Sequence, residues 1–314
     1  MTAHYNALYA MGTRLEIVLP GISERQFQSV FSSIKQEVNR IENSLTIFTS
    51  TSFIRHLNTH ASEKSVPVNK EIWSLVTKCL ELTRRTNGAF DITTTPVEDL
   101  RRNKQNSSGD WNSLSKDEVV EKLNHIGSEV IRLYKNDHSI KFIRSGVKLD
   151  FGAVGKGYAL DRIRAILNRS GVKNAFINFG ESTIYTRGEH PAGSPWTIEI
   201  PPPEFTPGES SVAISLDEMF LSTSASIRSD RQTDMHQPHI LDPRSGEPMS
   251  ERRQVSVTSS TGLEAEALST AMVVLSKDER DSVIHRFPYS TIVKIFTSHS
   301  NNSIAETSRE QLRG

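Results

Sequence analysis

The stretch Leu149–Asp161, LDFGAVGKGYALD, constrains this chain more than any other. It reads as the end of a buried strand, a tight loop of small residues and a helix start. Tyr158, Ala159, Leu160 and Ile163 open an apolar pattern of helical period, continued by Ala165, Ile166 and Leu167. Gly152, Gly155 and Gly157 permit close backbone approach or left-handed backbone angles. A helix start offers unpaired N–H groups and partial positive charge, which suit a phosphate. Lys156 adds a full charge inside the loop, and Asp150 stands just before it, where a carboxylate can hold a metal, a ribose or a loop N–H. An ordinary strand–turn–helix with glycines placed for packing explains the same residues equally well.

Around this stretch the pattern alternates strands and helices without a repeat. Tyr5–Pro20 reads as a strand pair turning at Met11-Gly12-Thr13, with Leu15, Ile17 and Leu19 on one face. Phe27, Val30, Phe31, Ile34, Val38 and Ile41 recur at helical spacing from a Ser23-Glu24 cap through Leu45. A short helix over Ser52–Asn58 and a longer one over Lys70–Thr86 follow, the latter stopped by Asn87-Gly88. Arg101–Asp110 (RRNKQNSSGD) reads as a solvated loop. Val119–Ile126 reads as a helix, and Val130–Tyr134 with Ser139–Phe142 as a hairpin. Beyond the glycine stretch come strands at Ala175–Phe179, Trp196–Ile200, Gln254–Ser259 and Thr291–Phe296, and a second hairpin of Val212–Leu216 with Met219–Thr223. Helices are expected over Leu263–Val274 and about Asp278–Arg286. Mixed runs of this kind predict an α+β fold rather than a regular βαβ array. The expected layout is one domain over residues 1–297 and a polar, frayed tail over 298–314.

Charge and cysteine content exclude several functions. The 37 basic and 37 acidic side chains cancel, leaving no excess to neutralise nucleic acid. The one cysteine, Cys79, rules out an intramolecular disulfide and a multi-cysteine zinc site. No apolar run is long enough to span a bilayer, and the first residues lack the charged and apolar regions of a secretory signal. The expected compartment is the cytoplasm.

Two further clusters carry chemistry. In Glu264-Ala265-Glu266-Ala267-Leu268-Ser269-Thr270, Glu266 and Thr270 are four apart on one helix face, with Ser269 beside them. These hard oxygens suit Mg²⁺ or Ca²⁺. On pattern alone, a solvent-facing Glu and a Thr bonded back to its own helix explain the same residues better. Leu221–Ser226 followed by His239 through Arg244 joins a hydroxyl-rich turn, able to bind phosphate, to a histidine that could act as a general base, although taken alone a structural histidine explains His239 better. There is no G-x-S-x-G elbow to mark a serine nucleophile.

Taken together and in order, these segments resemble the ApbE family of FAD:protein FMN transferases. The motifs are Met11-Gly12-Thr13, Phe48 through Ser52, Asn87-Gly88-Ala89-Phe90-Asp91, Leu149 through Tyr158, Asn178-Phe179-Gly180, Ser222-Thr223-Ser224, His239 through Gly246, and Ala265 through Thr270. The resemblance implies a T-shaped α+β fold with mixed or antiparallel sheets and flanking helices. It implies FAD as substrate, a magnesium ion at the diphosphate, and transfer of FMN to a Thr or Ser hydroxyl of an acceptor flavoprotein. Hydrolysis of FAD to FMN and AMP is the alternative activity, and flavin binding without turnover a third. Position by position, Met11, Phe48, Ala89, Phe90, Asp91, Asp150, Lys156 and Ile240 would contact FAD. Ala153, Glu266, Ser269 and Thr270 would hold the metal, and His239 and Lys156 would act in catalysis. The chain departs from the family pattern at Glu266 (usually Asp), Glu181 (usually Gly) and Ala225 (usually Gly).

Overall fold

A computed structural model describes residues 2–108, 114–229 and 236–298. The chain divides into two compact units. The first comprises residues 1–42, 154–240 and 249–314; the second comprises 43–153 and the short return 241–248. The expected tail lies outside the described residues beyond Ser298. Among the described residues, no helix is long and apolar enough to cross a membrane.

The first unit is built on a seven-stranded sheet. Its order is Ala3–Ala10, Thr13–Pro20, Ala175–Phe179, Thr183–Arg187, Phe220–Ala225, Arg253–Ser259 and Ser290–Thr297, each pair antiparallel. The first two strands form the predicted hairpin, and Leu15, Ile17 and Leu19 are fully buried on its inner face. Helix Gly262–Val274 is buried almost all round, as its alanine-rich sequence demands, and helix Gly155–Arg169 packs beside it. Arg253, itself buried, donates to the carbonyls of Val273 and Leu275 and so completes the C-terminal end of the buried helix.

The second unit contains helices Phe53–His60, Lys70–Arg85, Thr95–Ser108 and Lys116–Leu123, and a three-stranded sheet ordered Val66–Pro67, Ser139–Phe142, Ile131–Tyr134. Asn87 and Gly88, with φ of 54° and 79°, end the second of these helices as the sequence suggested.

Three expectations are corrected and one strand is added. The stretch Arg101–Asp110 is not a loop: helix Thr95–Ser108 takes up most of it, and residues 109 and 110 lie outside the described set. Pro96 occupies its first turn, where proline is tolerated, and Arg101 is buried with its guanidinium on the Gly246 carbonyl (2.6 Å) and near Glu247 (3.1 Å). A charged residue thus serves as the inner anchor, which a hydrophobic pattern does not reveal. Next, Leu149-Asp150 does not end a strand. Asn58 brackets Leu149 from both sides, accepting its N–H (2.8 Å) and donating to its carbonyl (2.9 Å). Third, Val212–Leu216 does not pair with its successor in sequence. It pairs with Trp196–Ile200, while Phe220–Ala225 joins the large sheet. Glu218, with φ of 53°, turns the chain between the two, held by Tyr185 and Arg187. Finally, Thr183–Arg187 is an additional strand that forms a hairpin with Ala175–Phe179. Gly180 and Glu181 both take left-handed angles in its turn, and the non-glycine Glu181 costs on the order of 1–2 kcal/mol there. Ala225 lies in regular strand and carries no such cost.

Candidate active site

Helices Gly155–Arg169 and Gly262–Val274 of the first unit cross where Gly157 meets Gly262. A Cβ on Gly157 would lie 2.1 Å from the Gly262 carbonyl oxygen, and one on Gly262 would lie 2.2 Å from that of Gly157. The two helix starts cap each other. Glu266 accepts the Gly157 N–H at 2.7 Å, while Asp161 accepts the N–H groups of Gly262 and Leu263, each at 3.0 Å. Carboxylates at helix N-termini complement both the unpaired donors and the dipole. The Gly155–Arg169 helix has no side-chain cap of its own at Val154, so Glu266 reaches it from the neighbouring helix.

Glu266 is only 3% exposed, against the solvent-facing reading of its pattern. Its Oε1 accepts a 2.7 Å bond from the Thr183 hydroxyl and lies 3.3 Å from Lys156 Nζ. Lys156 also donates to the Ser182 hydroxyl at 2.7 Å, and its side chain keeps 24% of its surface in solvent. A second hydroxyl set abuts the same helix: Ser269, fully buried, is shared between Ser222 (3.0 Å) and Ser224 (2.8 Å) and donates to the Glu266 carbonyl (3.1 Å). Ser224 continues to the half-buried Thr270 at 3.3 Å. Ser269 therefore stands behind Thr270 and orders the hydroxyls in front of it.

Met11 sits in the N-terminal turn at φ 48°, its N–H held by Glu42 at 2.8 Å, with its sulfur 3.9 Å from where a Cβ on Gly155 would be. His239 is exposed, and its N–H is fixed by the Ser226 carbonyl (2.8 Å). Ser226 is itself locked between Glu251 and Arg253. Ile240 is half-buried, and its carbonyl accepts the Met249 N–H.

In the second unit, Ala89 and Phe90 are buried at 1% exposure each, so their side chains belong to the core. Asp91 follows, also buried, bonded to the N–H and hydroxyl of Thr93. Burial pushes its carboxyl up to about 6, against the lowering by the Thr93 bonds. Asp150 accepts the Gly152 N–H at 2.7 Å, donates its own N–H to Ile92, and is also raised by burial. Glu98, bonded by Thr94, is raised for the same reason. Phe48 is 80% exposed and Ala153 is exposed.

The sequence pointed to Lys156, Glu266, Ser269 and Thr270, and the first unit gathers them on one helix pair. Asp161, Ser182 and Thr183 went unnoticed. Ser182 and Thr183 directly follow the Gly180-Glu181 turn, the one local signal available for them. Among the described residues, no three His, Cys, Asp or Glu side chains cluster as metal ligands. The donor chemistry of Glu266 and the Thr270 hydroxyl nonetheless fits a small hard cation. A carboxylate offers about four lone-pair directions, and three of Glu266's are engaged, one of them by the Lys156 ammonium.

Known proteins resemble this chain over most of its length. The model of the ApbE family matches residues 11–293. An FAD:protein FMN transferase of Klebsiella pneumoniae is 24% identical over 283 residues, covering 87% of this chain and 79% of that protein. The crystal structure of an ApbE protein from Thermotoga maritima superposes with a TM-score of 0.77 at 25% identity, covering 95% of this chain and 97% of that one. A Pseudomonas stutzeri flavinyl transferase ApbE, in apo form, shares the fold with a TM-score of 0.75 at 22% identity, covering 91% and 88%.

Proposed function

This chain belongs to the ApbE family, and on that footing we propose that it transfers FMN from FAD to a Thr or Ser hydroxyl of an acceptor flavoprotein, releasing AMP. The observation that carries the reading is the Lys156 ammonium, held by Ser182 and Glu266 at a helix start with no side-chain cap of its own. The acceptor oxygen attacks the phosphorus of the FMN half. A new P–O bond forms as the bond to the bridging oxygen breaks, and AMP leaves with that oxygen. The hydroxyl proton passes to the imidazole of His239, an exposed group of the type that accepts protons near neutral pH. Lys156 and the remaining N–H groups of the helix start neutralise charge that grows on the leaving phosphate.

Met11, Phe48, Ala89, Phe90, Asp91, Asp150, Lys156 and Ile240 are proposed as nucleotide contacts. The burial of Ala89 and Phe90 restricts them to backbone contacts. Magnesium, when bound, would neutralise diphosphate charge. Glu266 and Thr270 are the side chains that would hold it, with Ser269 behind them. Residues 1–297 are proposed to act as one functional domain.

The test is to incubate the protein with FAD, Mg²⁺ and a candidate flavoprotein, then look for flavin fluorescence on the denatured acceptor and for AMP. Covalent flavin with AMP in equal amount is the expected result. Free FMN with AMP would replace transfer by hydrolysis, and neither product would refute both.

A further inference from the structure

Glu266 and Lys156 are not equivalent partners. The glutamate is nearly inaccessible and pinned through Oε2 to the backbone of Gly157. The lysine sits on a flexible stem, is partly in solvent, and has a second acceptor in Ser182. Of the pair, only the ammonium can leave without breaking the helix crossing. It already neutralises the carboxylate at 3.3 Å from Oε1, so a dication arriving at the remaining lone pair meets a positive charge at close range. Replacing an ammonium by a divalent metal conserves attraction to the carboxylate, while accommodating both does not.

We propose that Lys156 and a divalent cation compete for Glu266, so that the resting protein holds its metal site closed with its own lysine. The competition concerns the site of the proposed reaction, but it needs no nucleotide. An anion that draws Lys156 outward opens the site, and by reciprocity a metal on Glu266 frees Lys156 for an anion. Thr183 and Gly157, each bonded to the carboxylate at 2.7 Å, keep it in place in either state.

The test is a nucleotide-free titration of Mn²⁺ into wild type, Lys156→Met and the double variant Lys156→Met/Glu266→Gln, followed by calorimetry and by loss of the free-ion paramagnetic signal. Methionine retains the apolar stem without the charge, and thermal unfolding of each variant confirms that the fold is kept. Lys156→Met is expected to bind Mn²⁺ on the order of tenfold tighter than wild type, within the usual range of coupling between sites. The double variant is expected to lose that gain. Equal affinity in wild type and Lys156→Met, no binding by either at millimolar Mn²⁺, or a gain that survives Glu266→Gln would each overturn the proposal. Because transfer activity is not read, failure of the transferase reading leaves this result standing, and the converse holds.

Discussion

Replacing Gly157 with alanine brings a methyl carbon 2.1 Å from the Gly262 carbonyl oxygen and 2.5 Å from its carbon. Both obstacles are backbone, so neither can rotate away. An unstrained carbon–oxygen contact is about 3.3 Å or more, so the helices must part by roughly 1 Å. That separation strains three bonds at once: Glu266 to Gly157, and Asp161 to Gly262 and Leu263. Losing two such charge-assisted bonds costs about 3 kcal/mol and the overpacking about 2, while alanine's better helix propensity returns about 1. The net loss is about 4 kcal/mol, a large share of the roughly 5–15 kcal/mol that holds a typical domain together. With a urea m-value near 3 kcal/mol per M, the unfolding midpoint falls by about 1.3 M. Gly155→Ala is the control. It lies two residues earlier in the same helix, where the added carbon meets only the Met11 sulfur at 3.9 Å, and it is expected to be neutral or slightly stabilising. A midpoint for Gly157→Ala within about 0.3 M of wild type would refute the crossing as the constraint on this glycine.

Thr183→Val keeps the shape but removes the hydroxyl donated to Glu266, and is expected to lower stability by about 1.5 kcal/mol in thermal unfolding; no loss would mean that the bond contributes nothing. Asp91 has a folded-state value of about 6 against 3.8 when free, so the native state holds its proton more tightly. The stability this gives is complete below about pH 4 and is lost as pH rises toward 6, a change of up to about 3 kcal/mol. Asp91→Asn is therefore expected to be the more stable protein at pH 7 and to unfold with a flatter pH profile; identical profiles would count against a buried, costly charge. His239→Ala is expected to slow flavin transfer by about 10²–10⁴-fold without altering FAD affinity, measured by single-turnover kinetics; an unchanged rate would remove His239 from the chemistry.

What could be read in advance follows from the range of the interactions. The N-terminal hairpin, the Lys70–Arg85 helix and its Asn87-Gly88 stop declare themselves by local periodicity and turn chemistry. The Thr95–Ser108 helix did not, because Arg101 rather than an apolar residue is its buried anchor and its acceptor is the Gly246 carbonyl, far along the chain. Glu266 carries the same lesson. Between alanines and leucine on a helix it looks like an exposed charge, and only partners at positions 156, 157 and 183 explain its burial. Asp161 reads locally as a polar residue on an amphipathic helix, yet its role is to hold a helix start about a hundred residues later. Motif order across the chain located the helices, but pairings at that distance leave no periodic trace.

The strand order of the large sheet bears on synthesis. The hairpin of Ala3–Ala10 and Thr13–Pro20 leaves the ribosome well before Ala175–Phe179, the strand that covers its open side. At translation speeds of roughly 5–20 residues per second, Thr13–Pro20 waits about 10–30 s with one edge unsatisfied and Leu15, Ile17 and Leu19 without their final neighbours. Residues 43–153 can meanwhile collapse on their own, lacking only the eight-residue return at 241–248. The newborn chain therefore carries an uncovered two-stranded ribbon beside a part-finished globule until residue 179 has been made.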